Sequence, residues 1–138
     1  MSTSPKPLRI RHQYFHLNLL SGICFLLGGI VGYVDSDISL IFQIVLFSAA
    51  VLFLVLIRRI KREAPDEMAE ENITKAGAIS ANFMHYFFCI AMPIVPLIAK
   101  STEKLDINWV LIMTWSFYVY IGTMRIVQAI VFKFLEDN

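Results

Sequence analysis

Residues Ile38–Ile57 read ISLIFQIVLFSAAVLFLVLI, a run without a single charge in which Gln43 and Ser48 are the strongly polar interior side chains. A helix rising ~1.5 Å per residue over such a run crosses the ~30 Å hydrocarbon core of a bilayer. The run lacks the polar–apolar alternation of a barrel strand, so it reads as a transmembrane helix.

Working outward, Phe15–Val34, Gly77–Ala99 and Trp109–Phe132 read the same way, and among the four runs only Arg125 carries a formal charge. The 138-residue chain is 57% hydrophobic and 17% charged, with mean hydropathy +0.65, and its charges cluster outside the runs rather than scattering as on a soluble domain. In lipid, backbone polar groups must pair within the segment, which favours helices. The expected fold is therefore all-α: an integral membrane four-helix bundle in a single domain, residues 1–138, with spans at about 15–34, 38–57, 77–99 and 109–132. Lys6, Arg9 and Arg11 precede the first run in the manner of a signal peptide. That run exceeds the usual signal-peptide length and no Ala-x-Ala site follows, so it is expected to stay as an uncleaved span.

Orientation follows from lysine and arginine, which accumulate on the cytoplasmic side. Lys6, Arg9, Arg11, Arg58, Arg59, Lys61, Arg62, Lys75, Arg125 and Lys133 fall on one side, and only Lys100 and Lys104 on the other. Both termini and the 58–76 loop are thus expected in the cytoplasm, with Trp109 as an anchor at the outer interface.

The 58–76 loop changes sign halfway. Arg58, Arg59, Lys61 and Arg62 suit anionic lipid headgroups at ~1 kcal/mol per charge. Pro65, Asp66 and Glu67 suit the first turn of a helix, because proline lacks a donor needed there and acids complement the positive end. The third helix is therefore expected to begin in the cytoplasm and run unbroken into its span. Arg58, Arg59, Lys61, Arg62, Asp66 and Glu67 are the candidates for contact with lipid headgroups or a docking partner.

Within the spans, small and polar residues mark packing faces. Gly22, Gly28, Gly29 and Gly32 lie on the first helix, and Gly28-x-x-x-Gly32 is a spacing that lets helices approach closely, within the chain or between copies. On the third, Ala78, Asn82, His85, Cys89, Met92 and Pro96 recur at offsets of four and three, and this stripe is expected to face the bundle. Pro93 and Pro96 free backbone carbonyls and are expected to bend the helix. On the fourth, Thr114, Tyr118, Gly122, Arg125 and Gln128 align. Arg125 suits snorkelling to the interface, or an inward turn toward Asn82 and His85. Asn18, Asn82, His85, Tyr118 and Arg125 are the ligand-pocket candidates.

The chemistry that would define an enzyme is thin. His12, His16 and His85 make a three-histidine site conceivable, but a juxtamembrane tail and a bundle histidine explain them more simply. Cys24 and Cys89 form no Cys-x-x-Cys of the kind that quinone-linked four-helix thiol oxidoreductases use. No acidic residue lies in a span, unlike the small multidrug exporters, which place a glutamate in the first helix. Neither Gly-x-Ser-x-Gly nor His-Glu-x-x-His occurs. No cofactor or metal is expected, and the formal net charge of +1 gives no reason to expect a nucleic-acid partner.

Asp66-Glu67 followed by Asn72-Ile73-Thr74-Lys75-Ala76 before the third run resembles an element found between pairs of spans in uncharacterised small bacterial membrane proteins. The resemblance covers about twenty residues and implies a bacterial cytoplasmic membrane; it carries no active-site residues. The expected function is association in the bilayer, as a homo-oligomer or an accessory subunit of another membrane protein. The alternative is a small transporter or ligand-binding protein with a cytoplasm-facing polar pocket.

Overall fold

A computed structural model describes residues 6–32, 37–63, 67–101 and 109–137. These segments form four helices: α1 (Lys6–Val31), α2 (Asp37–Glu63), α3 (Glu67–Ser101) and α4 (Trp109–Asp137). Three stretches within them, Arg11–Val31, Ile38–Ile60 and Ile112–Asp137, are long and apolar enough to cross a membrane. The run at 77–99 falls inside α3, a continuous helix of 35 residues. Several of its side chains beyond Ala91 lie outside the described residues, including Met92, Pro93 and Pro96, on which the expected bend rests. The backbone of α3 is helical past both prolines.

The helices extend beyond the apolar runs. α1 begins at Lys6, so the basic segment before Phe15 is already helical, and α2 continues through the Arg58–Arg62 cluster to Glu63. Residues 64–66, with Pro65 and Asp66, lie outside the described residues, as do the side chains of Lys61 and Arg62. α3 starts at Glu67 with Glu67 and Glu70 in its first turn, where carboxylates complement the positive end of the helix. One turn on, Lys75 pairs with Glu71 at 2.7 Å, and this hydrogen bond and charge hold the Glu71 carboxyl below its usual range.

The packing order is α2, α1, α4, α3. α1 packs against both α2 and α4, and α4 against both α1 and α3. Two of the three consecutive pairs, α1–α2 and α3–α4, are therefore neighbours, whereas α2 and α3 stand at opposite ends of this order although only residues 64–66 separate them in sequence. At the end where α1 begins and α4 finishes, all four helices meet in one cluster of Tyr14, Ile57, Ile73, Ala76 and Phe132. The rings of Tyr14 and Phe132 stand edge to face at 4.7 Å. A second cluster, Phe25, Ala50 and Tyr118, joins only α1, α2 and α4. At that depth the contact of α3 is with α4, where Phe88 meets Tyr120 at 4.8 Å.

The two outer helices differ. α2 is the least buried of the three candidate spans, and Leu40, Ile41, Ile44, Val45, Leu52 and Val55 are exposed. Its Ser48 hydroxyl donates to its own helix, to the Ile44 carbonyl at 2.8 Å, so its donor is satisfied without a neighbouring helix. α3 presents Ala69, Ile73, Ala76, Ser80 and Met84 to the bundle, each almost fully buried. That face corrects the expected one: Ala78, Asn82, His85 and Cys89 are all exposed. At ~100° per residue the two stripes lie on roughly opposite sides of α3. Small residues, Ala69, Ala76 and Ser80, line this packed face, and Gly77 beside them stands against Gln128 of α4.

Candidate functional site

Two features of the bundle concentrate polar chemistry: a buried network between α1 and α4, and the outward face of α3.

The network is built from helix-spaced pairs. Tyr14 and Asn18 sit one turn apart on α1, and the Asn18 amide donates to the Tyr14 carbonyl at 3.0 Å. Arg125 and Gln128 sit one turn apart on α4, with Arg125 Nη1 donating to Gln128 Oε1 at 3.0 Å. Two bonds cross between the helices: Gln128 Nε2 donates to the Tyr14 hydroxyl at 2.8 Å, and Arg125 Nη1 reaches Asn18 Oδ1 at 3.5 Å. Tyr14 and Asn18 are fully buried and Gln128 nearly so. Arg125 thus turns inward, to neutral amides on α1 and on its own helix. Its Nε is buried and has no hydrogen-bond partner. The network can hold charge and fix helix register; it contains no nucleophile beside a base.

Toward the same end, Glu136 gathers three helices. Its carboxylate pairs with Arg11 of α1 at 2.8 Å and accepts from Asn72 of α3 at 2.6 Å. Sequence reasoning missed Tyr14, Asn72 and Glu136. Asn72 and Glu136 carry no spacing signal because their partners lie 64 or more residues away, whereas the Tyr14–Asn18 interval is a helical one and was available.

On the outward face of α3, Asn82, His85 and Cys89 are exposed, with Cys89 Sγ 3.8 Å from His85 Nε2. Beside them a groove of about 640 Å³ runs between α3 and α4, bounded by His85, Phe88, Cys89, Met113, Ser116, Phe117 and Tyr120. The five pocket candidates are therefore distributed. Asn18 and Arg125 share the buried network, Tyr118 packs with Phe25 and Phe47, and Asn82 and His85 occupy the outer face of α3.

The glycines of α1 serve packing within the chain. Gly22 faces Gly122 and Ile126 of α4, Gly28 and Gly29 face Tyr118, and Gly32 faces Gln43 of α2. Of the headgroup candidates with described side chains, Arg58, Arg59 and Glu67 are exposed. His12 and His16 stack at 5.7 Å, and among the described residues no three of His, Cys, Asp and Glu converge on a point that could hold a metal ion. Cys24 and Cys89 are free thiols.

Comparison of the chain with family models, with curated proteins and with solved structures finds no match.

Proposed function

We propose that this chain is a non-enzymatic membrane protein that works by lateral association with a second copy of itself through the outer face of α3. In this reading α3 supplies the fourth span, and both termini face the cytoplasm of a bacterial cell, as the lysine and arginine asymmetry and the Asp-Glu…Lys-Ala resemblance suggest.

One observation carries the reading: the polar stripe Asn82, His85 and Cys89 lies on the side of α3 opposite its packed face. A carboxamide facing hydrocarbon leaves donors and acceptors unsatisfied, whereas a hydrogen bond between transmembrane helices contributes ~0.6–2 kcal/mol. Asparagine and neutral histidine each carry both a donor and an acceptor, so each is its own complement. Two copies inserted with the same orientation, related by a two-fold axis along the membrane normal, bring matching stripes together and need no foreign partner to balance a charge. The groove beside the stripe offers apolar and aromatic surface to enlarge the contact. At the other edge, the exposed residues of α2 from Leu40 to Val55 are apolar apart from Ser48, which bonds within its own helix, as suits a lipid-facing side.

Cross-linking in native membranes tests this reading. With Cys24→Ser as background, a bis-maleimide should join Cys89 to Cys89 and give a species of twice the chain mass, which Asn82→Leu should reduce. Capture of a different protein at Cys89 would replace the homo-oligomer with an accessory subunit. A chain that stays monomeric would end the association reading.

A further inference from the structure

A cavity of about 300 Å³ lies beside α2, lined by Val51, Leu54, Val55 and Ile57 and by two cations, Arg58 of α2 and Arg125 of α4. Its lining contains no acidic residue. Among the described residues neither arginine forms an ion pair, and the partners of Arg125 are the neutral side chains of Asn18 and Gln128. A half-buried guanidinium with a buried, unbonded Nε and no counter-charge is costly unless an anion comes from outside the chain.

The rest of the lining identifies the kind of anion. Arg58 follows the last residue of the apolar run 38–57, which puts it at headgroup level if α2 crosses the bilayer. Val55 and Val51, one and two turns deeper, are exposed. A ligand matching both parts has a negative oxygen group at one end and hydrocarbon at the other. Guanidinium groups bind phosphate oxygens through paired N–H donors, and Arg125 is already fixed by two hydrogen bonds, which lowers the ordering cost of binding. We propose that this cavity is a site for an anionic phospholipid, with the headgroup between Arg58 and Arg125 and an acyl chain along Val51 and Val55. The site is distinct from the α3 face and does not depend on association through it.

Native mass spectrometry of the full chain in mild detergent, titrated with phosphatidylglycerol, phosphatidylcholine or inorganic phosphate, tests the proposal. Phosphatidylglycerol should saturate at a single tightly held lipid per chain, about tenfold tighter than phosphatidylcholine. Arg58→Gln and Arg125→Gln should each weaken it about fivefold, the equivalent of one charge contact of ~1 kcal/mol. Arg59→Gln, next in sequence but lining a different cavity, should leave it unchanged. Because Arg58 is exposed, its substitution keeps the test valid should Arg125→Gln fail to fold. Equal binding of the two lipids, or equal losses from Arg58→Gln and Arg59→Gln, would overturn the site. Displacement of phosphatidylglycerol by an equal concentration of inorganic phosphate would overturn the lipid assignment in favour of a soluble anion.

Discussion

Gly22 of α1 and Gly122 of α4 meet backbone to backbone: a Cβ placed on Gly22 would lie 2.7 Å from the Gly122 carbonyl oxygen, and one on Gly122 would lie 2.9 Å from the Gly22 carbonyl oxygen. No real Cβ sits so close to backbone, and neither helix can yield without opening the α1–α4 seam. This crossing lies one turn from Asn18 and Arg125, so the glycine pair also sets the distance across which the buried network closes.

Gly22→Leu and Gly122→Leu should therefore each destabilise the bundle by about 1–3 kcal/mol or more, the cost of overpacking a close seam. The midpoint of helix loss in a sodium dodecyl sulfate titration, read by circular dichroism, measures it. Unchanged midpoints for both variants would contradict the seam.

Gly77 gives the opposite expectation. A Cβ there would meet only Gln128 Nε2, at 3.4 Å, which is ordinary contact. Gly77→Ala should be neutral or raise stability by up to about 1 kcal/mol, the helix-propensity difference between the two residues. The same titration reads the result.

Gln128→Leu removes the acceptor for Arg125 and the donor to Tyr14 together. Leaving buried polar groups unpaired should cost about 1–3 kcal/mol. Tyr14→Phe removes one hydroxyl and keeps the edge-to-face contact with Phe132, so its loss should be smaller, about 1 kcal/mol. A double-mutant cycle in the same titration should show coupling between the two positions.

Glu136→Ala severs the ties from α4 to Arg11 and to Asn72. Because the Arg11 side chain is 29% exposed, water screens the ion pair, and the total loss should be modest, about 1–2 kcal/mol. The change should appear locally, as faster amide exchange near the starts of α1 and α3. Unaltered exchange there would contradict a role for Glu136 in gathering the helices.

Much of this architecture is legible from pattern alone. Apolar runs of about twenty residues, interrupted by charge only at Arg125, mark α1, α2 and α4, and Pro65-Asp66-Glu67 points to a helix start close to where α3 begins. The row on α4 is also visible in the spacing of Thr114, Tyr118, Gly122, Arg125 and Gln128, of which Thr114 is exposed and the other four turn inward. The facing of α3 is not, because a polar stripe in a membrane helix turns toward whatever satisfies it, whether inside the chain or beyond it. In α3 the inward positions went to Ala69, Ile73, Ala76, Ser80 and Met84, which fit closely against α4. Likewise Gly28-x-x-x-Gly32 marks close approach without naming the partner. Here the partners are Tyr118 and Gln43 of the same chain. Contacts between distant positions, such as Asn72 with Glu136, leave no periodic trace to find.

The number of copies in the assembled particle tests the central claim most directly. Single chains labelled with one fluorophore and reconstituted at low density in lipid bilayers should bleach in two steps, falling to one step for Asn82→Leu with His85→Leu. Single-step bleaching of the unmodified chain, or two-step bleaching unaffected by those substitutions, would contradict association through the outer face of α3.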